Sequence, residues 1–375
     1  MPKKSTKAVK VEKTDAGKKQ LRAGIIGCGG IANNKHMPSI NATGKVKITA
    51  FCDIVESKAV DAAEKFGSKN AKVYTDYKAL LAAGDLDMVY VLTPNKSHSF
   101  ITIDALEAGM HVMCEKPMAK TSKEARAMVK AAKKSGKLLT IGYQNRFMPE
   151  SLYIKKAVER GDLGEIYFTK AHALRRRAVP TWGVFLDEEE QGGGPLIDIG
   201  THALDLSLWF ADNYKPKSVM GNVYHKLNNN GVCGNVFGAW NPEEFTVEDS
   251  AFGFITMENG ATIILESSWA LNISDYSEAK ATVCGTKAGA DMRQGVTING
   301  DDFGCLYEKV PNLRSGSVPF YEGSSTRPEI IEQEVFINAI TKGTPLTILP
   351  EQACVVTEIL EAIYESAKTG KLVTF

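Results

Sequence analysis

The chain has 375 residues, 43% of them hydrophobic and 24% charged, with a formal net charge of +1. That length can hold two domains with cores of their own, and the composition is that of an ordinary globular protein. The near-neutral balance offers no field to attract nucleic acid or an acidic membrane, and no run of 18 apolar residues is present to span a bilayer.

Residues 1–20 carry seven lysines, two acids and no arginine, without an apolar h-region. This excludes a secretory signal and argues against a transit peptide. A solvated tail is expected, or an arm that crosses onto a neighbouring subunit. From Leu21 the pattern changes to short apolar runs at Leu21–Ile26, Val46–Cys52, Leu86–Thr93, His111–Cys114 and Leu138–Tyr143. Helical patterns separate them at Val55–Phe66, Ser97–Ala108 and Ser122–Ser135. The last has a capping box in Thr121 and Glu124 and a stop in Gly136. Apolar strands alternating with helices predict βαβ units in a parallel sheet covered on both faces. After Phe147 the rhythm shifts to longer, partly alternating strands at Ile166–Leu174, Val219–Val223, Asp249–Met257, Thr262–Ala270 and Ala279–Cys284. Asn259-Gly260 marks a hairpin. Helices are expected at Ser151–Arg160, Thr201–Ala211, Glu329–Thr341 and Glu351–Lys368, the last with no indication of the domain it packs on. The reading is a tail over 1–20, an α/β Rossmann domain over 21–146 and, over 147–375, an α+β domain with a large, mostly antiparallel, open-faced sheet.

The seven cysteines stand apart, with no Cys-x-x-Cys pair, which disfavours zinc and fits a reducing compartment, hence the cytoplasm. No His, Cys and carboxylate spacing predicts a metal site.

Gly27-Cys28-Gly29-Gly30-Ile31-Ala32 follows the first strand and opens a helix, the pattern Gly-x-Gly-x-x-Ala. The first glycine permits a tight turn, the second lets the backbone approach a pyrophosphate, and the small third residue lets helix and strand pack closely. The second strand ends at Asp53, whose carboxylate can accept adenosine ribose hydroxyls and repel a 2′-phosphate, so NAD is favoured over NADP. The alternative for Asp53 is a turn residue or helix cap. Thr93-Pro94-Asn95 with His98, and Glu115-Lys116-Pro117, end two further strands at the carboxyl edge of the sheet, where open α/β folds bind ligands. Downstream lies Gly192-Gly193-Gly194-Pro195-Leu196-Ile197-Asp198-Ile199-Gly200-Thr201-His202-Ala203-Leu204-Asp205.

Taken together, from Leu21 almost to the end, these segments resemble the Gfo/Idh/MocA oxidoreductases. The resemblance implies that Lys116 contacts the substrate hydroxyl and the nicotinamide ribose, and that Asp198 and His202 line the substrate site, with His202 as proton acceptor. It also places Gly142-Tyr143-Gln144-Asn145-Arg146-Phe147 at the cofactor edge, where many relatives carry Arg in place of Asn145. The chemistry is consistent with these assignments. Oxidising a secondary alcohol releases a proton and a hydride; an imidazole with an ordinary pKa near 6.5 can take the proton, and an ammonium can stabilise the developing alkoxide. Structural alternatives are a turn role for Lys116, a helix cap for Asp198 and a satisfied core position for His202. Asp205 reads as a supporting residue, and His98 as either a cofactor neighbour or a helix start.

The resemblance makes the strand containing His172 and the loop with Arg177 and Trp182 border the substrate pocket. Trp182 can stack on a sugar or aglycone, and the arginines can bind a carboxylate or phosphate. It further implies subunit pairing over the open sheet face, for which Phe252, Phe254, Ile263 and Leu265 are candidates, in a dimer, tetramer or higher homo-oligomer. The expected activity is NAD-dependent oxidation of a ring alcohol of a sugar, glycoside or cyclitol, with C3 of a hexosyl group as a candidate position. Two alternatives stand beside it: a redox-assisted NAD-dependent glycosidase, and a non-catalytic NAD-binding sensor.

Overall fold

Strands of the first half are apolar on both sides because both faces are covered. The computed structural model describes residues 20–230, 234–313 and 327–375; the lysine-rich stretch 1–19 and Cys233 lie outside the described residues. Six strands, β1 (Leu21–Ile26), β2 (Val46–Cys52), β3 (Lys72–Tyr74), β4 (Met88–Val91), β5 (His111–Cys114) and β6 (Leu139–Ile141), form one sheet in the order β3-β2-β1-β4-β5-β6. All neighbours run parallel. The helices around it are α1 (Met37–Thr43), α2 (Glu56–Phe66), α3 (Tyr77–Ala82), α4 (His98–Glu107) and α5 (Ser122–Ser135). Successive residues point to opposite faces. Ala23, Ile25, Met88 and Tyr90 therefore join a core with α1 and α2, while Ile26, Val89 and Val91 join another with α4 and α5. The strand order reverses between β1 and β4, which opens a crevice at their carboxyl ends. β3 and α3 carry no sequence expectation, because three half-exposed residues and a six-residue helix are too short for a periodic signal.

The second half builds around β7 (Ile166–Leu174), β8 (Pro216–Tyr224), β9 (Ser250–Met257), β10 (Thr262–Ser268), β11 (Lys280–Gly285), β12 (Ala288–Asp291), β13 (Thr297–Asp302), β14 (Cys305–Lys309) and β15 (Val373–Thr374). Their order is β14-β13-β12-β11-β7-β10-β9-β8-β15, antiparallel except for the β7–β10 pair. Its helices are α6 (Pro149–Glu159), α7 (Glu188–Gln191), α8 (Thr201–Ala211), α9 (Pro328–Lys342) and α10 (Pro350–Thr369). The hairpin at Asn259-Gly260 and the capping box of α5 form as expected, with Gly260 and Gly136 at positive φ. β12 to β14 lack the apolar run that would have announced them, and β14 is exposed throughout.

α10 packs on both sheets. Val356, Ile359, Leu360 and Ile363 are buried in one core with Ala125 and Met128 of α5 and Ala251 and Ile255 of β9. Ile363 lies so close to β8 and β9 that a Cβ on Gly221 or Gly253 would come within 2.8 and 2.6 Å of it. α9, expected with the second half, instead places Phe336 and Ile337 in the core of the first sheet beside Ile25 and Met37. The open face of the second sheet also differs from expectation. Phe254 pairs across the strands with Met220 and Ile264, and these three share the open face with Phe252 and Tyr224. Ile263 and Leu265 have the opposite parity and are buried under the helices. Among the described residues no helix is long and apolar enough to cross a membrane.

A buried ion pair ties the connection between the halves to α8. Arg146 donates from Nε to Asp205 Oδ2 at 2.9 Å and from Nη2 to Oδ1 at 2.6 Å, and its Nη1 donates to Thr347 O and Gln352 Oε1. Asp205 thus supports the fold. Asp205→Ala strands a buried guanidinium and is expected to destabilise the protein by about 3–5 kcal/mol, read as a lower urea midpoint with an unchanged m value; Asp205→Asn should recover part of the loss.

Candidate active site

The glycine turn is shaped by what surrounds it. Gly27 sits at φ +93°, and a Cβ there would lie 2.6 Å from Leu92 O, so no other residue fits. A Cβ on Gly29 or Gly30 would meet nothing within 4 Å, so these two glycines front an open cradle. Cys28 N donates to Asp53 Oδ2 and Val55 N to Asp53 Oδ1, both at 2.9 Å. Asp53 therefore caps its own turn and fastens the glycine loop, and each carboxylate oxygen keeps a lone pair for a ribose hydroxyl. Cys28 is buried with its thiol 3.7 Å from Cys52 O, while Ile31 is exposed. The residues after the turn, Ala32–His36, form a π-helical turn before α1. The open cradle, the backbone turn and Asp53 fit a dinucleotide.

Thr93 and Pro94 sit at the same edge, since Gly27 abuts Leu92 and Thr93 directly. Asn95 and His98 turn to protein partners. Asn95 Nδ2 donates to Gln191 O at 3.0 Å. His98 begins α4, buried, with Nδ1 2.8 Å from Pro117 O and Nε2 2.8 Å from Thr93 O; it laces two strand ends together instead of facing the crevice. Asn145 lies partly buried in a 3₁₀ turn, Gln144–Phe147, beside this edge.

Glu115 is held by groups that the sequence reading missed. Its Oε1 lies 3.1 Å from Lys35 Nζ and 2.7 Å from His36 Nε2, and its Oε2 accepts the backbone N–H of Lys116 at 3.0 Å. Lys35 also pairs with Glu332 of α9 at 3.0 Å. Burial alone would raise the Glu115 carboxyl, but Lys35, His36 and Lys116 hold it well below the usual range. The available signal was a lysine and a histidine on the first turn after a glycine motif.

Lys116 reaches across to the second half, with Nζ 2.8 Å from Asp198 O and 3.0 Å from Asp198 Oδ1. Asp198 stands in a second π-helical turn, Leu196–Gly200, that runs into α8 and carries His202 one turn on. π turns recur at functional sites. Asp198 Oδ2 accepts from Trp269 Nε1 at 3.0 Å. Burial opposes its ionisation, yet Lys116, Arg175 and Trp269 keep its pKa below normal. The turn is anchored from behind by Glu248, which accepts from Gly194 N at 2.8 Å, Leu196 N at 3.1 Å and Tyr364 OH at 2.9 Å. His202 is buried, its Nδ1 without a hydrogen-bond partner among the described residues and its ring edge-on to Tyr143. Burial first, then the Lys116 charge, push its pKa down to about 3. At neutral pH it is an uncharged imidazole.

The remaining substrate candidates divide. His172 does not join this group: it lies on the open face of the second sheet, with Nε2 2.9 Å from Thr282 Oγ1 and Nδ1 3.5 Å from Glu266. The strand period puts Ala171 and Ala173 toward the helices and His172 away. Arg177 Nη2 donates to Asn272 Oδ1 at 2.7 Å, and Arg175 grips both oxygens of Glu278 at 2.6 Å. Trp182 is half exposed.

Two family descriptions match the chain: "Oxidoreductase family, NAD-binding Rossmann fold" over residues 21–143 and "GFO/IDH/MocA C-terminal domain" over residues 151–291. D-glucoside 3-dehydrogenase of Escherichia coli (strain K12) is 40% identical over 353 residues, covering 93% of this chain and 96% of that protein. Levoglucosan dehydrogenase in complex with NADH superposes with a TM-score of 0.79 at 21% identity, over 95% of this chain and 99% of that one. An aldose-aldose oxidoreductase from Caulobacter crescentus, complexed with glycerol, gives 0.77 at 24% identity, over 95% and 100%. These two structures share the fold.

Removing the Lys116 charge takes away one of the three causes that depress His202, beside burial and the Lys35 charge. Lys116→Ala is expected to raise the His202 pKa in an NMR titration while leaving it below about 6.5, because burial, the larger cause, remains; an unchanged value would separate the two side chains.

Proposed function

The chain belongs to the Gfo/Idh/MocA oxidoreductase family, and on that premise we propose that it oxidises a glucoside at C3 of the glucosyl ring, with NAD as hydride acceptor. The observation that carries the reading is the meeting of Lys116 Nζ, Asp198 and neutral His202 beside the open glycine cradle. The substrate class follows the D-glucoside 3-dehydrogenase that is 40% identical over nearly its whole length.

The cradle of Gly27, Cys28, Gly29, Gly30 and Ile31 would hold the pyrophosphate, Asp53 the adenosine ribose, and Thr93, Pro94, Glu115 and Asn145 the edge of the nicotinamide side. When bound there, NAD supplies an electrophilic ring carbon that accepts the hydride. Lys116 spends two contacts on Asp198 and keeps a third N–H for the substrate oxygen. Its ammonium stabilises negative charge as the alcohol proton leaves. Asp198, charged and fixed by Trp269, orients that ammonium and can accept a neighbouring ring hydroxyl. His202 is the proton acceptor. Its pKa of about 3 means it is deprotonated and ready across the neutral range, and negative charge developing on the substrate oxygen opposes the causes that depress it.

With NAD and methyl glucoside, wild-type protein should form NADH. Lys116→Ala and His202→Ala should lower kcat by roughly 10²–10⁴-fold while NAD binding, followed by calorimetry, persists; NADH formation at wild-type rate by both variants would overturn the assignment. A second measurement concerns pH. kcat/KM reports groups of the unliganded enzyme, so no acid limb from His202 is expected between about pH 5 and 7.

A second copy is the proposed cover for the open sheet face, where Phe254 is 51% exposed between Met220 and Ile264. Phe254→Lys should shift the light-scattering mass to a smaller species without changing the far-ultraviolet spectrum.

A further inference from the structure

Between Asp198 and the surface runs an unbroken series of aromatic rings. Trp269, fully buried, donates its indole N–H to Asp198. Its ring centroid lies 6.5 Å from that of Phe185, which lies 5.8 Å from Trp182, and Trp182 meets Phe237 at 4.8 Å with the planes at 86°. The inner end of this series is dry and the outer end is wet: Trp182 is 52% exposed and Phe237 43%. Large rings left clustered in water are uncommon on a monomer surface and mark places where something apolar is received.

The outer rings are held in place by the backbone. They come from two loops, one following β7 and one within residues 234–238. Thr181 Oγ1 donates to Phe237 O at 2.6 Å, Val179 N donates to Asn235 Oδ1 at 2.9 Å, Asn235 Nδ2 returns a bond to Val179 O at 3.0 Å, and Val236 N donates to Arg177 O at 3.1 Å. The same loop pairs Arg175 with Glu278 and Arg177 Nη2 with Asn272, leaves Arg177 Nη1 buried without a hydrogen-bond partner among the described residues, and exposes Arg176. Beside these arginines the two loops present a preorganised pair of ring faces.

We propose that Trp182, Phe185 and Phe237 form a subsite for the aglycone of the glucoside, and that it selects an aryl or similarly flat apolar group. The inference rests on the glucoside reading above. With the reacting hydroxyl at Lys116 and His202, the anomeric carbon stands two ring bonds from the reacting carbon and its substituent leaves the ring in a different direction, while the ring series that begins on Asp198 carries apolar surface outward to Trp182 and Phe237. A flat substituent meets Trp182 and Phe237 by stacking, which an alkyl group as small as methyl does not reach.

The test compares kcat and KM for phenyl and methyl glucosides, as both anomers, with NAD. Wild-type protein should show the lower KM for phenyl glucoside. Trp182→Ala and Phe237→Ala should each raise that KM by roughly tenfold with kcat kept and the methyl glucoside KM within about twofold, and Trp182→Phe should restore much of the preference. Equal effects on both glucosides, or no phenyl preference in the wild type, would overturn the subsite while leaving glucoside oxidation intact. Absence of NADH from every glucoside with wild-type protein would overturn the glucoside reading itself and the subsite with it.

Discussion

The ion pair between Lys116 and Asp198 is the contact on which the site depends. Lys116 ends a strand of the parallel sheet, and Asp198 belongs to the turn that packs on the antiparallel sheet, so the pair spans the crevice between the halves at 3.0 Å. The Lys116 charge also acts on its neighbours: with Arg175 and Trp269 it keeps Asp198 ionised against burial, and it adds to the burial that holds His202 neutral.

That ammonium needs support from both directions. On its own side, Glu115 fastens the Lys116 backbone and is in turn held by Lys35, His36 and, through Lys35, Glu332. Lys35 is held charged despite burial because two carboxylates flank it. On the far side Glu248 caps the turn bearing Asp198, and Tyr364 of α10 caps Glu248. Burial pushes the Glu248 carboxyl up to about 7, against the lowering effect of its bonds from Gly194, Leu196 and Tyr364. Helices α9 and α10, last in the chain, therefore complete a site whose first element is the glycine turn near its beginning.

The two halves impose different burial rules. The parallel sheet is covered on both faces and reads as unbroken apolar strands. The antiparallel sheet is covered on one face, so residue parity decides everything: Ile263 is buried and Ile264 is not, His172 looks away from Asp198, and Phe254 is left in water.

The sequence by itself determined the glycine turn, the capped helix α5 and the alternation of the longer strands and helices, because these are local and spacing within one strand, turn or helix carries them; Lys116, Asp198 and His202 were singled out by the resemblance to a family. It did not reveal that α9 packs on the first sheet, that α10 joins both sheets, that His98 is tied to two carbonyls, or that Lys35, Trp269 and Glu248 serve the site. Those facts rest on contacts between residues tens to hundreds of positions apart, such as Lys35 with Glu332 and Gly194 with Glu248. Strand parity was likewise settled only by register, since a shift of one residue exchanges the buried and open faces, and an alternating run does not by itself say which of its two faces the helices will cover.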